Sequence, residues 1–209
     1  MYALKKNKYE EFSENRLHDF LDLIEKKNKN LTFVEFGAGS GLTLKGIKKK
    51  YTNSEVYGFD IEPANDGHGI FKEDLNRFKF IKYKKILNKT DYFLLLDVLE
   101  HLNDPMDFLK NLTKYTKKNA VIIISCPNFL SLRMLFAWIR GVLPKEHHGY
   151  FDESHLHWFS PVSFYDFFKE ININNLTLRY LFSKKYPKKL FQKIYPMRLC
   201  SQFIFVVKI

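Results

Sequence analysis

Leu31-Thr-Phe-Val-Glu-Phe-Gly-Ala-Gly-Ser-Gly41 is the stretch whose reading decides the fold. Its first six residues are mostly apolar and rich in β-formers, and three glycines, Gly37, Gly39 and Gly41, follow at once. Glycines there let the backbone pass close to a ligand and turn into a helix, whose first amides attract a carboxylate or phosphate. A helical stretch then runs to Lys50. Downstream, strand and helix signals keep alternating. Glu55 to Asp60 reads as a second strand, Arg77 to Tyr83 as a weaker third, Asp91 to Asp97 as a buried fourth and Ala120 to Ser125 as a buried fifth. Asp104-Pro105 opens a helix running to about Tyr115, with Asp as N-cap and Pro in the first turn. Ser160-Pro161 caps another, ending near Lys169, and Leu176 to Phe182 and Gln202 to Lys208 look like the last two strands. Upstream, Tyr9 to Lys27 has the spacing of an amphipathic helix. Continuous apolar strands alternating with helices predict an α/β fold, a parallel sheet covered on both faces.

A chain of 209 residues suits one domain. The expectation is a single domain over 1–209, with an N-terminal helix within 1–30 and an insertion at 128–158. An insertion of that length in a compact α/β domain usually serves a site, as a lid does. Residues 1–30 are charged and lack the apolar run of a signal peptide. The apolar stretch Phe129 to Leu143 is broken by Arg133 and Arg140 and is too short to span a bilayer. Cys126 and Cys200 are the only cysteines, which suits a reducing compartment, and a cytoplasmic location is expected. The net charge of +11 is uneven: from Ile171 onward there are eight Lys or Arg and no acid. Such a region could meet a phosphate-bearing substrate, a membrane surface or nucleic acid, although a charge run is usually a solvated face.

In open parallel sheets ligands sit beyond the carboxyl ends of the strands, so the residues just after each strand are the ones to read. Asp60 closes the second strand, where a carboxylate can accept both hydroxyls of a ribose, and Ile61 adjoins it. Asp74, followed by Leu75, could accept from an adenine amine, and Asp97 follows the fourth strand. A dinucleotide fingerprint, G-x-G-x-x-G, would place its third glycine at Leu42. The observed spacing, Glu35-x-Gly37-x-Gly39-x-Gly41, suits an amino acid carried on a nucleoside better than a pyrophosphate.

These residues resemble a known family. Val34-Glu-Phe-Gly-Ala-Gly-Ser-Gly41 looks like motif I of class I S-adenosylmethionine (SAM) dependent methyltransferases, Tyr57-Gly-Phe-Asp-Ile-Glu62 like their motif II, and Asp97-Val-Leu-Glu-His-Leu-Asn-Asp-Pro105 like their motif IV region. Ser125-Cys-Pro-Asn-Phe129 and His155-Leu-His-Trp-Phe-Ser160 resemble a subgroup with ubiquinone-type O-methyltransferases, MetW-like proteins and enzymes encoded with surface-polysaccharide genes. The resemblance covers roughly Leu31 to Glu170. It implies a Rossmann-like class I methyltransferase fold, a mostly parallel seven-stranded sheet with an antiparallel last strand. It also implies SAM as cofactor, held by Glu35, Gly37, Ala38, Gly39, Gly41, Asp60, Ile61, Asp74, Leu75 and Asp97. Ala38 stands where many relatives have Cys.

Methyl transfer from a sulfonium needs alignment and water exclusion, and a hydroxyl acceptor also needs a base. His101 and His155 are the candidates, with packing or capping as the competing role for each. Because side chains alternate in an extended segment, at most one of His155 and His157 faces the site. His147, His148, His155 and His157 lack a zinc-site pattern, since adjacent histidines rarely chelate one ion together and no cysteine joins them. Asp97-x-x-Glu100-His101 resembles the acidic-histidine motif that ubiquinone-type relatives use with a divalent ion, but with Asp in first place. No bound metal is expected. The resulting expectation is O-methylation of a small molecule or glycan precursor, in surface-polysaccharide assembly, with possible peripheral membrane contact as a rival use of the apolar helix. A MetW-like regulatory partner of an acyltransferase and an RNA methyltransferase are the alternatives.

Overall fold

The computed structural model describes residues 20–24, 30–63, 69–141, 152–182 and 195–209. Most of the expected N-terminal helix, His147, His148 and the basic stretch 183–194 lie outside them. The strands form one seven-stranded, mostly parallel sheet in the order β3-β2-β1-β4-β5-β7-β6. By contacts the chain falls into two compact units, residues 1–94 with 115–121, and residues 95–114 with 122–209.

The first unit holds β1 (Thr32–Phe36), α1 (Leu42–Lys50), β2 (Glu55–Asp60), β3 (Ile70–Lys72), the short α2 (Lys84–Leu87) and most of β4 (Tyr92–Leu96). β1 pairs parallel with β2, and β2 parallel with β3. All five residues of β1 are buried, as expected of a strand covered on both faces. Phe36 stacks on Phe59 at 5.4 Å and meets the Phe78 ring edge-on at 5.3 Å. Burying each such ring contributes about 1.5–3 kcal/mol. The third strand is not where the sequence pattern put it. Arg77 to Tyr83 is not extended: tight helical turns cover Leu75–Arg77 and Phe80–Tyr83. The dense run of Phe78, Phe80, Ile81 and Tyr83 imitated a strand. Instead, Phe78 and Tyr83 pack against Phe59, at 4.9 and 4.6 Å, from these turns. The real edge strand, Ile70–Lys72, has three residues, too few to show a period.

The second unit holds α3 (Pro105–Lys114), β5 (Val121–Pro127, all but its first residue), α4 (Leu132–Ile139), α5 (Pro161–Glu170), β6 (Leu176–Leu181), the short α6 (Pro196–Leu199) and β7 (Gln202–Lys208). Asp104 Oδ1 accepts the Asp107 amide at 2.8 Å and so starts α3. Ser160 and Ser163 form a capping box on α5, with Pro161 at its first turn. β6 and β7 pair antiparallel, from Leu176 opposite Val207 to Leu181 opposite Gln202. Phe164 of α5 packs on Phe203 and Phe205 of β7 at 5.6 and 5.3 Å. On α4, Leu135, Phe136, Trp138 and Ile139 remain exposed. Among the described residues no helix is long and apolar enough to cross a membrane.

Candidate functional site

In the first unit, the turn after β1 is set by three glycines at positive φ, Gly37 at 71°, Gly39 at 49° and Gly41 at 72°. Side chains seldom adopt that region, which is why glycine occupies it. The Gly37 amide donates to the Phe59 carbonyl at 2.7 Å, tying the turn to β2. Asp60, at the end of β2, accepts the Gly39 amide on Oδ2 at 2.7 Å and the Glu62 amide on Oδ1 at 2.8 Å. The carboxylate is therefore fixed in place, and each oxygen keeps lone-pair capacity for a further donor. A Cβ on Gly39 would meet nothing within 4 Å, so the turn opens onto free space. Ile61 beside it is 59% exposed, an apolar side chain available to cover a flat ring.

This arrangement fits an adenosyl ligand: an open glycine turn, a fixed carboxylate and an exposed apolar neighbour. α1 begins directly behind, and Gly41 gives its N-terminus no side-chain cap. Glu35 is buried within β1. Asp74 accepts the Asn76 amide at 2.9 Å and so caps the turn at Leu75–Arg77. That is the local role an Asp before a turn commonly takes. Both Asp74 and Leu75 are half-buried. Next to them, hydrogen bonds from Lys82 and Tyr83 hold the Glu73 carboxyl below its ordinary range.

The sequence reading passed over Gly58. A Cβ there would come within 2.8 Å of the Ala38 Cβ and 2.9 Å of Leu44 Cδ1, so its bareness lets the glycine turn and α1 close onto β2.

In the second unit, Asp97 follows β4 with φ 55°, a left-handed conformation that Asp tolerates better than most residues. Its carboxylate accepts Ser125 Oγ at 2.9 Å, and Gln202 Nε2 reaches Oδ2 at 2.9 Å and Oδ1 at 3.1 Å. Gln202 comes from β7, 105 residues away, and nothing local in the sequence points to it.

A second cluster lies on the turn Leu99–His101 and on residues 152–157. The Glu100 carbonyl accepts the amides of Leu156 (2.8 Å) and His157 (3.1 Å), which docks the two segments. His101 and His155 then face each other with ring centroids 4.7 Å apart, and the Phe129 ring packs on His155. His157 goes elsewhere, with Nε2 3.3 Å from the Asn103 carbonyl. The structure thus brings together the two histidines named as candidate bases. Glu100 is fully buried and accepts the Cys126 thiol at 3.6 Å. Burial, with the charges of Glu100 and Asp97, raises the Cys126 pKa well above its ordinary value and keeps the thiol protonated.

Donor atoms of Glu100, His101 and His155 lie within 4.8 Å of one another, a spacing that a divalent ion could bridge. Asp97 does not complete this set: its carboxylate is engaged with Ser125 and Gln202. Two residues that the sequence reading missed adjoin His101, namely Ser154 and Asp152. Burial pushes the Asp152 carboxyl up, but the hydrogen bonds from Ser154 and the nearby His155 and His101 outweigh it and leave the group below its ordinary value. An Asp two residues before a Ser is a turn signal that could have pointed to them.

Comparison with known proteins gives the fold and the family. One solved structure, a SAM dependent methyltransferase from Archaeoglobus fulgidus, superposes over 100% of both chains with a TM-score of 0.70 at 16% identity. The plantazolicin methyltransferase BpumL in complex with SAH matches 98% of this chain and 89% of its own with a TM-score of 0.62 at 15% identity. At such identities the likeness speaks for the fold. A ubiquinone biosynthesis O-methyltransferase of Pelagibacter ubique (strain HTCC1062) is 30% identical over 59% of this chain and 54% of its own length. The chain thus spans about half the length of that curated relative. The family model described as a methyltransferase domain matches residues 9–178, and the chain belongs to that methyltransferase family.

Proposed function

We infer that the chain transfers a methyl group from SAM to a hydroxyl of a small molecule, a glycan precursor among the candidates. SAM, when bound, supplies the activated methyl group, so the chain's own residues need only hold, align and deprotonate. The turn at Gly37, Gly39 and Gly41 with Glu35 and Ala38 would hold the amino-acid end, Asp60 would take the ribose hydroxyls, and Ile61, Asp74 and Leu75 would border the adenine. By the family resemblance Asp97, held by Ser125 and Gln202, would be the acid for the ammonium group.

The observation that carries the oxygen acceptor is the facing pair of His101, on the turn after β4, and His155, on the 152–157 segment docked against that turn. An alcohol or phenol must lose a proton as its oxygen attacks, and a positioned imidazole contributes typically 10²–10⁴-fold to such a step. His101 is the base and His155 its neighbour. The relative named as a ubiquinone biosynthesis O-methyltransferase supports oxygen as the acceptor atom.

The test is methyl transfer from labelled SAM to a panel of catechols, other phenols and sugar alcohols, with wild type and His101→Gln. A hydroxyl acceptor is expected to turn over, and the variant to lose about 10²-fold or more in kcat with little change in SAM affinity. Transfer by the variant at the wild-type rate would remove His101 from the chemistry.

A further inference from the structure

Two groups of Ser154 converge on one nitrogen of His101, and Asp152 stands behind one of them. Its Nδ1 lies 3.0 Å from Ser154 Oγ and 3.2 Å from the Ser154 backbone carbonyl. The Ser154 hydroxyl is in turn 2.5 Å from Asp152 Oδ1, and the Ser154 amide donates to that same oxygen at 2.9 Å. The direction of each hydrogen bond follows from the chemistry. A carbonyl and a carboxylate only accept. The hydroxyl proton therefore goes to Asp152, and the hydroxyl can offer Nδ1 only a lone pair. The carbonyl likewise offers a lone pair. Both partners of Nδ1 are acceptors, so Nδ1 carries the proton.

We propose that Asp152 and Ser154 are positioning residues that hold His101 as its Nδ1–H tautomer, leaving the Nε2 lone pair as the proton acceptor of the site. This deepens the reading of His101 as base and rests on it. The other nitrogen of a histidine sets which one is free to react. An unconstrained neutral histidine favours the Nε2–H form, which would present Nε2 as a donor and be useless as a base there. The relay Asp152–Ser154–His101 reverses that preference. When Nε2 takes the acceptor's proton, the imidazolium that forms keeps its Nδ1–H bonds to Ser154, with the Asp152 carboxylate one hydroxyl further on. The proton ends on Nε2, and no group but the acceptor loses one. The Asp152 turn also supports the 152–157 segment: the His155 amide donates to the Asp152 carbonyl at 3.1 Å.

Long-range ¹H–¹⁵N correlation spectra of the whole ¹⁵N-histidine-labelled chain, at a pH where its histidines are neutral, read the tautomer directly and need no acceptor. His101→Gln assigns the resonance. Wild type is expected to show the Nδ1–H form in majority. Asp152→Ala frees the Ser154 hydroxyl to donate to Nδ1 and is expected to shift the tautomer ratio toward Nε2–H by on the order of tenfold, the equivalent of one hydrogen bond. Asp152→Asn keeps an oxygen that can accept from the hydroxyl and the amide, and is expected to retain the wild-type ratio. This rescue separates positioning from general loss of structure. A wild-type His101 in the Nε2–H form, or an Asp152→Ala protein with the wild-type ratio, would overturn the proposal. Should the tautomer behave as expected while His101→Gln transfers methyl groups normally, the relay would stand and the base reading would fail.

Discussion

Asp60 shows how much one side chain can organise. Its two oxygens receive the amides of Gly39 and Glu62, so one carboxylate fixes the glycine turn and the segment after β2. That dual role was half legible. The sequence marks an acid at a strand end, but its bond to Gly39 becomes visible only once β1 and β2 are paired, with Phe36 opposite Phe59. Gly58 was not legible at all, because the clash it avoids is with Ala38 of the glycine turn and Leu44 of α1. Gly58→Ala places a Cβ within 2.8 Å of the Ala38 Cβ, and such overpacking costs typically 1–3 kcal/mol. Urea denaturation is expected to show a loss of that size. An unchanged midpoint would mean that the turn yields freely.

At the scale of elements, the strongly patterned segments matched expectation, and the short ones did not. β5 is seven buried residues in a row, and α5 starts at the Ser160-Pro161 signal. The third strand was misplaced because closely spaced aromatic residues packing from tight turns imitate a strand, while three extended residues leave no pattern. Residues 152–157 were read as part of an insertion, yet their position comes from bonds to the Glu100 carbonyl, which no local pattern announces. That docking also assembles Glu100, His101 and His155. If this trio acts through a proton on His101 and not through an ion, extensive dialysis against EDTA leaves methyl transfer within about twofold of the untreated protein. A loss of activity restored by Mg²⁺ or Zn²⁺ would assign the trio to a metal.

On the scale of the whole chain, the family follows from the order of features: glycine turn, strand-end acid, acid after β4 and histidines after it. The glycine turn and the two acids sit at strand ends, whose neighbours are set by the sheet, β3-β2-β1-β4-β5-β7-β6. The acceptor is less legible, because the groups that would meet it come from loops joined only by folding. Calorimetry with SAM on wild type, Asp60→Ala and Gly39→Arg, each checked for an unchanged circular dichroism spectrum, addresses the foundation of the account. The wild type should bind, Asp60→Ala should bind about 10- to 100-fold more weakly for its lost charged hydrogen bonds, and Gly39→Arg should show no binding. Equal SAM affinity in all three proteins would contradict it.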